Sequence, residues 1–422
     1  MNIDRREFLK WTSAAAGVTA VAGCASTGGS AGKVVVIGGG YGGATAAKYI
    51  RMWAPDVAVT LVERNAEFIS CPISNLVVGG NAQLKDITVG YDGLKKHGVQ
   101  VVRDEVVAVD AAKRTVRLAS GNTLEYDRLI LSPGIDFMYE TIPGLNSAAA
   151  QERVPHAWKA GAQTMILRKQ LEAMRDGGVY ALSIPKSPYR CPPGPYERIC
   201  QVASYLKRAK PKSKILVLDA NEDIQSKKGL FLAQWNGQYK GMIEYKPNSE
   251  LVDVDVKTLT AKLQFEDVKA DVLNVVPPQK AGAIAGQAGV VTANNRWCGI
   301  DWLTYESVAV KNVHVLGDAT LSAPAMPKSG HMANQHAKVC AAAVIALLKG
   351  QPVDTAPVVM NTCYSFVDAQ EAMHVASVHQ YDAQQKTMVA VKGAGGLSDK
   401  ASAVEGAYAW GWARNIWADS LA

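Results

Sequence analysis

Long apolar runs are missing from this 422-residue sequence; nothing in it approaches the ~20 predominantly apolar residues of a membrane-spanning helix. No C-x-x-C-H stands anywhere, so the chain cannot attach a c-type haem to itself. Cysteine is sparse, at seven, and the number is odd. Its spacing is neither that of a small disulfide scaffold nor that of a zinc site. Strong charge of one sign is lacking too: 45 basic against 38 acidic residues give +7, with no arginine-rich block, so nucleic-acid binding is not indicated. What is there is ordinary for a globular protein. Hydrophobic residues make up 48% and charged residues 20%, which excludes disorder and fibrous repeats. At ~150 residues per domain, the length implies two or three domains, each able to bury its own core.

The N-terminus reads as an address. Asp4-Arg5-Arg6-Glu7-Phe8-Leu9-Lys10 precedes a weakly apolar Ala/Gly/Thr/Val run to Ala22, the pattern of a twin-arginine export signal. That route carries folded proteins, so a cofactor can be loaded beforehand, and the expected location is the periplasm. Val21-Ala22-Gly23-Cys24 is also similar to a lipoprotein cleavage box. Either Cys24 is acylated and tethers the protein, or cleavage falls within 25–32 and discards it.

Lys33-Val34-Val35-Val36-Ile37 reads as a strand running into the frame Gly38, Gly40 and Gly43, followed by helical spacing to Trp53. The first glycine makes the turn, the second lets backbone approach a pyrophosphate, and the third lets helix and strand pack. Phosphates then sit on the free N–H groups of the helix. A second strand, Val57 to Val62, ends at Glu63, placed to accept from the adenosine ribose hydroxyls. FAD rather than NAD is chosen far downstream, where Asn312 to Ala319 reads as a strand ending in Gly317-Asp318 and brings an acid to the ribityl and phosphate region. The loop Pro327-Lys328-Ser329-Gly330 leads into a helix from about His331 to Leu348, its N-terminus aimed at the flavin pyrimidine, where reduction puts negative charge. Leu129 to Gly134 reads as the strand and crossover that close the first half.

The intervening segment shows a helix at about 161–176, Gly177-Gly178 and a strand, Val179 to Ile184, where a second glycine frame for a nicotinamide is expected. Instead five prolines occur in the eleven residues from Pro185 to Pro195. They remove the N–H donors and the freedom that a pyrophosphate cradle needs, so no NAD site is expected there. A helix from about Tyr196 to Lys210 and a strand from Lys214 to Leu218 complete the unit. Lys207, Arg208, Lys210, Lys212 and Lys214 form a basic cluster, either a solvated helix end or a docking patch for an acidic partner.

Three cysteines stand in distinctive settings: Cys71 in Phe68-Ile69-Ser70-Cys71-Pro72-Ile73-Ser74-Asn75, Cys191 in the proline loop, and Cys363 in Asn361-Thr362-Cys363-Tyr364-Ser365. These motifs, with the Arg190-to-Glu197 stretch, resemble the flavoprotein subunit of flavocytochrome c sulfide dehydrogenase, from the first glycine loop to the aromatic C-terminus. The resemblance implies that Cys71 is thioether-linked to the flavin 8α-methyl and that Cys191 and Cys363 form a disulfide beside the isoalloxazine. It implies further that Glu197 is an acid near that disulfide, that Trp410 is an aromatic near the flavin edge, and that the electron acceptor is a separate c-type cytochrome subunit carrying the haem. An exported protein can keep a disulfide. Hydrosulfide attacks a disulfide by ordinary exchange, leaving a persulfide and a thiolate. The competing readings are a domain staple for the cysteine pair, a solvent-facing acid on the first helical turn for Glu197, and a core anchor for Trp410. Cys200, Cys298 and Cys340 read as buried small hydrophobes. His331 and His336 are expected on a helix surface, because no metal-ligand set completes around them.

The expected fold is α/β, an FAD/NAD(P)-binding Rossmann-like two-domain flavoprotein of glutathione-reductase type with a C-terminal α+β domain. The expected boundaries are 1–31 for the signal, 32–144 with 280–352 for a discontinuous FAD domain, 145–279 for a second Rossmann-like domain without an NAD site, and 353–422 for a capping domain. The expected activity is FAD-dependent oxidation of sulfide with transfer to a c-type cytochrome. The alternatives are sulfide:quinone oxidoreduction and a regulatory periplasmic flavoprotein acting on a sulfur-oxidation or thiol partner.

Overall fold

The computed structural model describes residues 31–422; the twin-arginine segment and Cys24 lie outside them. The first sheet is wholly parallel. Lys33–Ile37 lies between Ala58–Glu63 and Arg128–Leu131, with Gln100–Arg103 beyond the former and Val313–Val315 beyond the latter. Lys33–Ile37 is an unbroken β-branched run because all but its first residue is buried, as a strand covered on both faces requires. Val313–Val315 returns to this sheet from more than a hundred residues away, after the chain has built a second sheet. That second sheet is also parallel, in the order Ile243–Lys246, Lys214–Asp219, Val179–Ile184, Val272–Val275. Two three-stranded antiparallel hairpins, within 106–125 and 251–269, add to the two-sheet frame that the sequence pattern implies.

Four helices position the site. The glycine-loop helix, Tyr41–Trp53, follows the first strand directly. The proline-loop helix, Gly194–Ala209, begins two residues earlier than the sequence spacing implies, since Pro195 fits a first helical turn where its missing N–H costs nothing. The serine-capped helix, Gly330–Leu348, packs along the glycine-loop helix, and its N-cap Ser329 accepts from the Met332 N–H at 3.0 Å. The C-terminal helix, Ala403–Leu421, lies on the meander Val358–Phe366, Ala372–Asp382 and Thr387–Leu397 and reaches the glycine-loop helix. There Thr45 Oγ1 meets Ser420 Oγ at 2.9 Å, Lys48 Nζ donates to the Ala418 carbonyl at 2.9 Å, and Trp417 Nε1 donates to Tyr41 Oη at 3.0 Å. Among the described residues no helix is long and apolar enough to cross a membrane.

Candidate active site

One large cavity, about 1200 Å³ including its open mouth, lies where the three parts of the chain meet. Its wall takes in the glycine loop, the Cys71 segment, the proline loop, the start of the serine-capped helix, the Cys363 strand and Trp412 of the C-terminal helix.

The cradle at one end shows what the glycines are for. Gly38 has φ +99°, and a Cβ on it would stand 2.4 Å from the Ser132 carbonyl oxygen, so only glycine fits the turn. A Cβ on Gly43 would come within 1.9 Å of the Gly38 oxygen. Gly40 differs: its Cβ would meet no atom of the protein, and the residue faces the cavity. Packing does not demand a glycine there; its absent side chain leaves room for a group in the cavity. Glu63, at the end of its strand, accepts from the Gly39 N–H at 2.7 Å through one oxygen and from Asn65 through the other, which fixes the carboxylate beside the loop. Gly317 and Asp318 form a turn after Val313–Val315. Asp318 Oδ1 is buried without a hydrogen-bond partner among the described residues, and burial raises its carboxyl above the usual range. A buried acceptor left open in a cavity wall is a place for a ligand hydroxyl. Lys328 packs its ammonium 3.8 Å from the Trp297 ring centre and donates to the Asp318 carbonyl at 3.1 Å; burial lowers it to about 8.

The sulfurs stand at the other end. The described cysteines, Cys71, Cys191 and Cys363 among them, are thiols in this structure, so the disulfide expected between Cys191 and Cys363 is not formed in it. Cys191 is held in left-handed backbone, φ +56°, an unfavourable conformation for a residue with a side chain. Its N–H donates to the Lys328 carbonyl at 2.7 Å, and its carbonyl accepts from Gly194 at 2.8 Å. Its own backbone N–H therefore pins the cysteine to the loop that precedes the serine-capped helix. Burial pushes its thiol well above the usual range, with Cys363 and Glu197 adding to the effect.

Cys363 has a different setting. Ser329 Oγ donates to Asn361 Oδ1 at 2.5 Å, and that amide turns its Nδ2 toward Cys363 Sγ at 3.2 Å. Lys227 Nζ donates to the Cys363 carbonyl at 2.9 Å and to Ser365 Oγ at 2.7 Å; the residue is 5% exposed, and burial lowers its ammonium to about 8. Burial raises the Cys363 thiol, while Asn361 and Lys227 pull it down.

Glu197 is buried, not solvent-facing. Its carboxylate accepts from the Phe366 N–H at 2.9 Å and from Asn75 Nδ2 at 2.8 Å, tying the proline-loop helix to the Cys71 segment and the Cys363 strand. Burial raises this carboxyl above its usual range. Arg198, 1% exposed, braces the same wall through Asn75 Oδ1 at 3.0 Å and the His156 carbonyl at 2.8 Å.

Two expectations need correction. His336 is buried among Trp302, Tyr305 and Met326, where burial lowers it to about 3, and His331 lines the cavity, accepting from the Thr362 N–H at 2.9 Å. His336 is not a surface residue, because the serine-capped helix is covered on more than one side, and His331 is half-buried at the cavity wall. Trp410 packs on Phe366, whereas Trp412 lines the cavity beside Tyr364 and His331. Helical residues two apart point about 200° away from each other, so only one of the pair can face the site. Cys200, Cys298 and Cys340 are buried, as expected of small hydrophobes. In the basic cluster, Arg208 bonds Asn81, Lys210 bonds the carbonyls of Glu172 and Met174, and Lys214 bonds that of Gly241, the contacts of a helix end. Lys227, Arg190 and Arg198 carry no sequence signal of their own. No motif marks Lys227, and Arg190 is visible in the sequence only as the neighbour of Cys191.

Known proteins are similar to this chain in part. Residues 164–277 match the family model "Sulfide dehydrogenase [flavocytochrome c] flavoprotein chain, central", residues 355–421 match "Flavocytochrome c sulphide dehydrogenase, flavin-binding", and residues 32–170 match "Pyridine nucleotide-disulphide oxidoreductase". The sulfide dehydrogenase [flavocytochrome c] flavoprotein chain of Chlorobaculum thiosulfatiphilum is 56% identical over 45 residues, 11% of this chain and 94% of that sequence. The mitochondrial sulfide:quinone oxidoreductase of Mus musculus is 24% identical over 306 residues, 68% of this chain and 65% of that one, so the chain spans somewhat under two thirds of this relative. The crystal structure of sulfide:quinone oxidoreductase from Aquifex aeolicus superposes with a TM-score of 0.76 at 18% identity, covering 92% of this chain and 91% of that one. The fold is that of two-domain flavoprotein oxidoreductases.

Proposed function

The chain belongs to the family of the flavocytochrome c sulfide dehydrogenase flavoprotein chain, and from that premise we propose that it oxidises sulfide through a Cys191–Cys363 disulfide and FAD, passing the electrons to a c-type cytochrome subunit. The observation that carries the reading is the convergence of three sulfurs on one cavity. Cys71, Cys191 and Cys363 come from three separate stretches of chain and line the same wall as the glycine loop and the start of the serine-capped helix.

The residues present fit FAD. Gly38, Gly40 and Gly43 form the pyrophosphate cradle with room kept at Gly40, Glu63 stands at the adenosine side, and the open Asp318 oxygen suits a ribityl hydroxyl. Lys328, Ser329 and the N-terminus of the serine-capped helix supply positive potential to the ring. Cys71 is the proposed covalent tether. Bound FAD accepts an electron pair and returns electrons singly, which suits a haem acceptor.

The two reacting sulfurs are not equivalent. Thiol exchange is fastest when the leaving sulfur is the better thiolate. Cys363 has an amide donor on its sulfur and the Lys227 ammonium close by, while Cys191 sits in a setting that disfavours charge. Hydrosulfide therefore attacks Cys191: the Cys191–Cys363 bond breaks, a bond to the incoming sulfur forms, and the electron pair stays on Cys363 as thiolate. Cys191 becomes the persulfide. Glu197, with its carboxyl raised by burial, is the group that can hold the substrate proton.

The test is the acceptor. Purified protein given sulfide is expected to reduce cytochrome c; absence of reduction with flavin intact refutes the reading. A quinone acceptor is the second reading, favoured by the fold shared with a sulfide:quinone oxidoreductase. A soluble quinone analogue reduced in preference to cytochrome c would select it. Export to the periplasm belongs to the same proposal and is checked by locating the processed chain.

A further inference from the structure

Arg190 stands next to Cys191, yet its guanidinium serves a different cysteine. Nη2 donates to Cys71 Sγ at 3.0 Å and also to the Trp158 carbonyl, and the Ala160 N–H approaches the same sulfur at 3.5 Å. Arg190, Cys71 and Trp158 all line the cavity. The backbone on either side of the arginine is pinned, by the Arg190 N–H on Gln279 Oε1 at 2.9 Å and by the Cys191 N–H on the Lys328 carbonyl at 2.7 Å. The backbone from which the guanidinium reaches the sulfur is thus fixed.

We propose that Arg190 is the positioning residue for attachment of flavin to Cys71, aiming its sulfur into the cavity and giving it a cationic donor. The inference rests on the covalent tether proposed above and names what activates it. A thiolate is the nucleophile and a thiol is not. Guanidinium stays charged at any working pH, tolerates partial burial because it is weakly hydrated, and offers a planar fork that can bond a carbonyl and a sulfur together. A charge-assisted bond to the sulfur favours its ionised form. Attachment exchanges the S–H bond and one 8α C–H bond for an S–C bond and delivers two electrons and two protons to the flavin ring. The reoxidant is dioxygen, which leaves as hydrogen peroxide. The same short loop thus presents one cysteine for exchange and, one residue earlier, the cation that prepares another.

The test follows attachment and not turnover. Parent, Arg190→Lys and Arg190→Gln proteins are purified with FAD, incubated from pH 7 to 9, denatured in acid and weighed by mass spectrometry. The parent is expected to carry its flavin attached. R190Q should hold FAD unattached and attach it about tenfold more slowly than the parent at pH 7, the order of one pK unit of lost charge assistance, with its rate rising as the pH rises toward the ordinary thiol range. R190K, which keeps the charge but loses the fork, should fall between the two. R190Q attached as fast as the parent at pH 7, or at a rate that ignores pH, overturns the proposal. Should R190Q retain no flavin, R190K decides: slowed and pH-dependent attachment supports the role, and parent-like attachment overturns it. A parent without attached flavin overturns the tether itself, a failure distinct from that of the arginine.

Discussion

Lys227→Met separates what the buried ammonium costs the fold from what it gives the chemistry. Burial lowers Lys227 from 10.5 to about 8. Below pH 8 the folded chain holds a charge that the unfolded chain carries more readily, so the lysine destabilises. Between pH 8 and 10.5 the unfolded state binds more protons, and stability rises with pH until the penalty is gone. At 1.36 kcal/mol per pK unit, the shift from 10.5 to about 8 corresponds to about 3 kcal/mol at pH 7 and about 1.4 kcal/mol at pH 9.5. Methionine removes that penalty but leaves the Cys363 carbonyl and Ser365 Oγ without this donor, a loss of roughly 1–2 kcal/mol that does not vary with pH. K227M is therefore expected to be more stable than the parent by about 1–2 kcal/mol at pH 7, and the gap should shrink by about 2 kcal/mol at pH 9.5. Urea unfolding of both proteins at the two pH values measures the difference directly. Sulfide-driven flavin reduction at pH 7 should meanwhile slow by a few-fold, because Cys363 loses a cation that lowers its thiol and so becomes a poorer leaving group. Parallel stability curves would mean that the ammonium is not held against its will, and an unchanged reduction rate would remove it from the chemistry.

Gly40→Ala should leave stability within about 0.5 kcal/mol, because its Cβ meets no protein atom, yet lower the flavin content of the purified protein; unchanged flavin content would show that nothing is held against that position. Cys71→Ser should free the flavin on acid precipitation, and a yellow pellet from the variant would refute the tether. Cys191→Ser and Cys363→Ser should each abolish flavin reduction by sulfide while FAD stays bound; full rates in both would leave the pair a structural contact only.

Local pattern makes much of this molecule legible. Strand, glycine frame, helix and acid follow one another within thirty-odd residues, so the cradle of Gly38 to Glu63 is written in adjacent residues and needs no distant contact to be recognised. Val313–Val315 is legible for the same reason, since the Gly-Asp after it names the partner half. Residues whose role depends on what lies across the cavity are not. Nothing around Lys227 indicates that it reaches the Cys363 carbonyl, 136 residues away. Trp410 and Trp412 are equally aromatic in sequence, and only the phase of the helix against the meander decides which one faces inward. His336 reads as exposed because no metal-ligand set completes around it, and the small residues of its helix carry no sign of what packs on them. Those small residues are what let the helix pack closely enough to bury it.

The clasp between the C-terminal helix and the glycine-loop helix sets a timetable. Tyr41 begins the helix that the cofactor cradle feeds, and its hydroxyl is gripped by Trp417, while Thr45 waits for Ser420. A nascent chain can pair the first four strands of its first sheet early, but Val313–Val315 joins them late and the chamber has no far wall until Tyr364 and Trp412 have been synthesised. Cofactor capture is thus a late event in the life of each molecule, and a ribosome that stops a few dozen codons short releases a chain with a well-formed cradle and nothing to close it.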